Sequence, residues 1–383
     1  MKKYFFITVL YLISISLMGQ ELQNFRPQQV ISPEISGGRV TFRISARDAN
    51  NVRLYGSWMP QSATELLTKD ADGVWSVTIN APPPEIYTYN FIVDGVSVND
   101  AANIFVQRDG RRFLSVLLID GPLTDNYREA NKRGNVEHVW YDSPTLGTTR
   151  RMLVYTPHGY VGSNQRFPVL YLLHGGGGDE EAWSSMGRAS QILDNLIEQG
   201  KAVPMIVVMP NGNPGQQAAQ TLLLPEKTNF PGGPSANADM ENSFPDIIKF
   251  VESNYRVQSD KSHRAIAGLS MGGGHTVRIS AMYPNTFDYI GVFSIPPFLR
   301  FIGDTDTEFY DRLEEQFKAQ NKNGFKLYWM ACGTEDFLFE YVKESRKRMD
   351  AIGFNYIYRE TGGGHTWPVW RQYLVEFLPL LFK

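Results

Sequence analysis

One serine is set apart by its surroundings. In HRAIAGLSMGGGHTVRIS (His263 to Ser280), Ser270 lies in the pattern G-x-S-x-G between Gly268 and Gly272, after the apolar run RAIAG and before the helical pattern GGHTVRISAMY. That order is strand, sharp turn, helix, and a near absence of neighbouring side chains lets a serine occupy a strained turn with its hydroxyl lifted above a sheet. A hydroxyl is a weak nucleophile at neutral pH; it needs an imidazole to take its proton, and the imidazole needs a carboxylate to hold its tautomer. Only His275 and His365 of the six histidines follow Ser270. His275 belongs to the helix that Ser270 begins and reads as helix surface or packing. His365, in the glycine-rich loop TGGGHTWP before the terminal helix, is the expected base. The expected carboxylate is Asp336, in CGTEDFLF after the strand KLYWMA. Glu335 is its adjacent competitor, Asp304 and Asp306 are less well placed, and Asp336 could equally cap the helix that follows.

Acyl transfer also needs donors for a tetrahedral oxyanion. The strand FPVLYLLHG ends in Gly175 to Gly178, whose N–H groups can approach such an oxygen without an intervening Cβ. The expected donors are the backbone N–H groups of Met271 and Gly176, with Gly175 and Gly177 as alternatives, while His174 braces the loop. A phosphate-binding reading fails for want of G-x-x-x-x-G-K-[ST]. No metal-ligand spacing is present, and neither metal nor cofactor is expected.

These groups must be held by a scaffold, and the chain has two textures. From Val30 to about Gly121, short alternating runs (VTFRIS, VRLYGSW, GVWSVTI, YTYNFIVDG, FLSVLLIDG) separated by turn signals indicate a β-sandwich, assigned to residues 20–122. The polar segment GPLTDNYREANKRGN places a linker at 123–135. From 136 to 383, continuous apolar strands (FPVLYLLHG, MIVVMPNG, RAIAG, IGVFS, KLYWMACG) alternate with helical patterns, as in an α/β domain with a mostly parallel sheet. The long connection NGNPGQQAAQTLLLPEKTNFPGGPSANADMENS is expected to shape the acyl pocket together with Trp183 and the loop at Pro296 to Phe298, Pro297 included.

Of 383 residues, 42% are hydrophobic, sufficient for two cored units, and a formal net charge of -3 leaves no electrostatic footprint for nucleic acid. The start, MKKYFFITVLYLISISLMGQ, reads as a signal peptide over residues 1–19, its apolar run being short for a membrane span. Export to the periplasm or the medium without stable membrane insertion is therefore expected. The single cysteine, Cys332, excludes an intrachain disulfide and reads as a buried strand thiol.

The segments LHGGGGDEEAW, AIAGLSMGG, CGTEDF and GGHTWPVWR together resemble the esterase D family, in particular the carbohydrate esterase family 1 branch of feruloyl and acetylxylan esterases. The stretch containing VRLYGSW, DGVWSVTI and YTYNFIVDG resembles more loosely the Ig-like carbohydrate-binding module family 48, although Trp58 and Trp75 could equally be core residues. The resemblance implies an α/β-hydrolase fold, a serine, acid and histidine at Ser270, Asp336 and His365, and an exported esterase acting on plant polysaccharide. Feruloyl groups on arabinoxylan are the preferred substrate and acetylated xylan the alternative. A siderophore esterase fits the export signal less well, and an inert glycan-binding protein fits the intact set of site residues less well.

Overall fold

The computed structural model describes residues 30–60, 62–110, 112–219, 239–299 and 307–383. The expected signal peptide, most of the long connection after Asn211, Asp304 and Asp306 lie outside them. The described residues of Met1–Pro82 form one compact unit with Thr88–Phe105, and Pro83–Tyr87 form another with Val106–Lys383.

The first unit is all-β. Strands β1 (Glu34–Ser36), β2 (Arg39–Ser45), β6 (Val74–Asn80) and β5 (Thr68–Lys69) make one antiparallel sheet in the order β1-β2-β6-β5; β3 (Val52–Gly56), β4 (Glu65–Leu66), β7 (Glu85–Val93) and β8 (Val96–Val98) belong to a second. Alternation decides what is buried: Val40, Phe42, Val52, Leu54 and Phe91 are all 0% exposed. The Phe42 ring meets Tyr89 edge-on at 4.9 Å, and the Tyr89 hydroxyl donates to buried Asp100. Trp75 belongs to this interior, its indole N–H donating to the Ala46 carbonyl, and Trp58 stacks on Phe42.

The second unit opens with the antiparallel hairpin of β9 (Val106–Asp109) and β10 (Arg112–Ile119). Its main sheet contains β11 (Asn135–Ser143), β12 (Thr148–Thr156), β13 (Val169–Leu173), β14 (Ile206–Pro210), β15 (Arg264–Leu269), β16 (Tyr289–Phe293), β17 (Leu327–Gly333) and β18 (Ile357–Thr361), in the order β11-β12-β14-β13-β15-β16-β17-β18. The β11–β12 and β12–β14 pairs are antiparallel, and all later pairs are parallel. Helices α1 (Ala182–Ser185), α2 (Ala189–Glu198), α3 (Asp239–Asn254), α4 (Met271–Met282), α5 (Thr307–Asn323), α6 (Phe339–Ala351) and α7 (Trp367–Phe377) connect the strands. Both faces of the sheet are covered. In β13, Val169, Tyr171 and Leu173 join a core with Phe244, Val277 and Phe317, while Leu170 and Leu172 join another with Trp183, Ile192 and Phe377. Helices on both faces explain why these strands are apolar throughout.

Two expected boundaries differ from this arrangement. The β9–β10 hairpin, assigned to the sandwich, does extend the sheet order β4-β3-β7-β10-β9 but groups with the second unit, where Arg108 pairs with Asp179 and the Gln107 amide donates to the Ser185 carbonyl. The expected linker is partly packed. Tyr127 is 1% exposed, Arg188 donates to its carbonyl, and Asn195 donates to the carbonyls of Asn126 and Arg128. A polar, aperiodic segment resembles a tether in sequence, yet side chains of a neighbouring helix can satisfy its backbone.

Candidate active site

Ser270 sits between the end of β15 and the start of α4 with φ 49° and ψ -119°, a conformation costly for a side-chain-bearing residue. Its N–H donates to the Phe293 carbonyl at 2.9 Å and its carbonyl accepts from the Gly274 N–H at 3.0 Å, so the turn is held from both sides. The flanking glycines are required by close approach. A Cβ on Gly268 would lie 2.3 Å from the Gly272 carbonyl oxygen, and one on Gly272 would lie 2.4 Å from the His174 carbonyl oxygen.

The geometry joins the three expected groups. His365 Nε2 lies 2.9 Å from Ser270 Oγ, and His365 Nδ1 lies 2.8 Å from Asp336 Oδ2. Asp336 follows β17, and its other oxygen accepts the Leu338 N–H at 2.9 Å, so the carboxylate orients the imidazole while also fixing the turn before α6. Burial acts to raise the Asp336 pKa, but hydrogen bonds from His365, the Leu338 N–H and Ser294 outweigh it and hold the carboxyl below its usual range. Glu335, the competitor, is exposed, and its backbone N–H donates to the Gly363 carbonyl. His275 is 4% exposed and bonds Glu241 Oε1 at 2.8 Å. It is a buried packing residue rather than a surface one, because nearly all of α4 is buried.

A cavity lined by Gly175, Gly176, Leu269, Ser270, His365 and Trp367 opens beside the serine. Gly176 lines this cavity, and Met271 begins α4, where a helix leaves its first N–H groups without intrahelical partners. His174 ties the glycine loop to the next strand end: Nδ1 pairs with the Gly175 carbonyl at 2.8 Å and Nε2 accepts the Gly212 N–H at 2.8 Å. Burial pushes its pKa down to about 4, keeping the ring neutral as that acceptor role requires. Cys332 is buried in β17, and burial raises its thiol pKa. Among the described residues, no group of three or more His, Cys, Asp or Glu side chains could hold a metal ion, and no helix is long and apolar enough to cross a membrane.

The expected pocket residues fare differently. Trp183 is 1% exposed, donates its indole N–H to the Leu173 carbonyl and packs edge-on against Trp367 at 5.4 Å, so it supports the cavity wall from behind without lining it. Pro297 is buried and is not among the lining residues; the adjacent Phe298 packs on Phe317 of α5. Contributors missed in the sequence include Trp367, Trp370, Ser294 and Arg108. Trp370 stands edge-on to His365 at 4.9 Å and donates to Ser294, which in turn bonds Asp336. Arg108 lines the cavity from the hairpin. The spacing WPVW at a helix start could have indicated Trp370, since Trp367 and Trp370 are one turn apart; nothing local marks Arg108 or Ser294.

An all-β unit before a mostly parallel sheet that carries a nucleophile elbow defines an α/β-hydrolase with an N-terminal β region. The chain belongs to the Esterase family, whose profile matches residues 143–381. It is 32% identical over 359 residues to the endo-1,4-beta-xylanase/feruloyl esterase of Xylanibacter ruminicola, a match covering 91% of this chain and 45% of that protein, so the chain spans less than half of that relative. A solved ferulic acid esterase is 26% identical with a TM-score of 0.52, covering 64% of this chain and 97% of its own. The enterobactin esterase FES of Shigella flexneri is 16% identical with a TM-score of 0.62, covering 88% of this chain and 92% of its own, a likeness of fold.

Proposed function

We propose that the protein is an exported serine esterase that releases acyl groups from plant cell-wall polysaccharide, feruloyl groups of arabinoxylan first among them. The observation that carries the mechanism is the hydrogen-bonded line from Ser270 through His365 to Asp336 at the edge of a cavity. Ser270 Oγ attacks the ester carbonyl carbon as its proton passes to His365 Nε2, and Asp336 stabilises the imidazolium. The N–H groups of Met271 and Gly176 hold the oxyanion. The carbonyl re-forms as the bond to the sugar oxygen breaks; His365 returns the proton to that oxygen, leaving an acyl-enzyme. Water, deprotonated by His365, repeats the sequence and frees the acid.

Support for an aromatic acyl group comes from the walls: Trp367, Trp370, Leu269, Ala182 and Met186 line the cavity, and rings of this kind suit a planar phenolic acid. The relative named as a xylanase and feruloyl esterase aligns along nearly the whole chain, which favours xylan over a siderophore. We also assign the first unit a carbohydrate-binding-module-like role; Trp75 is buried, whereas Trp58 is half-buried against Phe42.

The test compares release of ferulate from methyl ferulate and of acetate from an acetylated xylo-oligosaccharide by wild type and Ser270→Ala. Ferulate release abolished by the substitution is expected. Acetate release alone would replace the substrate with acetylated xylan, and activity surviving in Ser270→Ala would overturn the mechanism.

A further inference from the structure

The glycine loop that faces Ser270 is gripped from outside by the β9–β10 hairpin, and the grip centres on one buried cation. Arg108 has a side chain only 8% exposed, and all five of its N–H donors are engaged. Nη1 reaches Asp179 Oδ2 at 2.6 Å and the Gly110 carbonyl at 2.7 Å. Nη2 reaches Asp179 Oδ1 at 2.6 Å and Glu181 Oε2 at 3.0 Å, and Nε reaches Glu181 Oε2 at 3.2 Å. With no donor left over, Arg108 is not a ready ligand for an anionic substrate even though it lines the cavity.

Asp179 directly follows Gly175 to Gly178, so the bidentate fork clamps the end of the loop that carries Gly176. The backbone around Arg108 adds to the hold: its N–H donates to Ser185 Oγ at 3.2 Å and its carbonyl accepts from the same hydroxyl at 3.1 Å. Gly110, with φ +56°, comes so near that a Cβ there would lie 2.7 Å from the Gly177 carbonyl oxygen. A glycine run has many accessible conformations of its own, and an oxyanion donor displaced by about 1 Å loses about a hundredfold in rate.

We propose that Arg108 is a positioning residue for the oxyanion loop, acting through Asp179 to fix the Gly176 N–H against the carbonyl attacked by Ser270; this rests on the esterase reading above. The test measures steady-state ester hydrolysis and the affinity of phenylboronic acid, which forms a tetrahedral anionic adduct on a nucleophilic serine, in the full chain carrying Arg108→Met, Asp179→Asn, both together, or Arg108→Lys. Removing both partners leaves no buried charge unpaired, and lysine keeps the charge but loses the fork, so folded variants remain for measurement even if a single substitution unfolds. A kcat lower by about 10²-fold in the double variant is expected, with KM within threefold, boronate affinity falling by the same factor as kcat, and Arg108→Lys failing to restore either. If kcat and boronate affinity stay within threefold of wild type, or the loss falls on KM alone, the clamp is overturned. Ser270→Ala separates this from the underlying reading: an inert Ser270→Ala beside unimpaired Arg108 variants removes only the clamp, whereas an active Ser270→Ala removes the esterase mechanism itself.

Discussion

Asp336 and Glu335 are neighbours of the same chemistry, and burial and direction separate them. The Asp336 side chain is fully buried with Oδ2 on His365, while Glu335 faces solvent. Asp336→Asn keeps the shape but presents the imidazole with the wrong partner for its tautomer, and a fall in kcat of about 10⁴ is expected. Glu335→Gln is expected to leave kcat within a factor of two, and an equal loss in both variants would contradict this assignment. At this scale the sequence was readable where chemistry demands a residue type in a fixed chain order, as for Ser270, Asp336 and His365. It was unreadable for Arg108 and Ser294, whose roles come from tertiary proximity, and misleading for Trp183, because an aromatic residue near a site reads alike whether it lines a cavity or supports one.

Elements position these groups by a few specific ties. His174 joins the end of β13 to the segment after β14, accepting from Gly212 only while neutral. Its pKa is lowered by burial to about 4, so the folded state prefers the neutral ring. The stability this supplies is complete above the unfolded value of about 6.5 and is lost as pH falls from there towards 4, at up to about 1.4 kcal/mol per pH unit. A decline of Tm across that window is expected in wild type, with a shallower one in His174→Gln; equal slopes would contradict it. The parallel strands were legible because burial on both faces makes them continuously apolar, and the elbow because Gly268 and Gly272 sit where backbone meets backbone. The packed segment around Tyr127 was not, since backbone carbonyls satisfied by Arg188 and Asn195 leave no local pattern.

For the whole molecule, the boundary near residue 122 conceals two dependencies within the second unit. Arg371 of α7, 1% exposed, pairs with Glu85 at 2.9 Å and donates to the carbonyls of Ile86 and Met186, and Arg108 of β9 pairs with Asp179. A chain of residues 136–383 keeps the three site side chains but leaves Arg371 and Asp179 buried without their partners, each such loss costing about 3–5 kcal/mol. Thermal melting of residues 136–383 against the full chain is expected to show the shorter chain much less stable or unfolded. Equal melting temperatures would show that the extra residues are dispensable to this unit.

In the proposed mechanism Ser270 carries the acyl group during turnover. Rapid acid quench of wild type during hydrolysis of a feruloyl ester, followed by peptide mass mapping, tests it most directly. A feruloyl adduct on the peptide containing Ser270, absent from Ser270→Ala, is expected; turnover with no adduct, or an adduct on another residue, would contradict the acyl-enzyme mechanism.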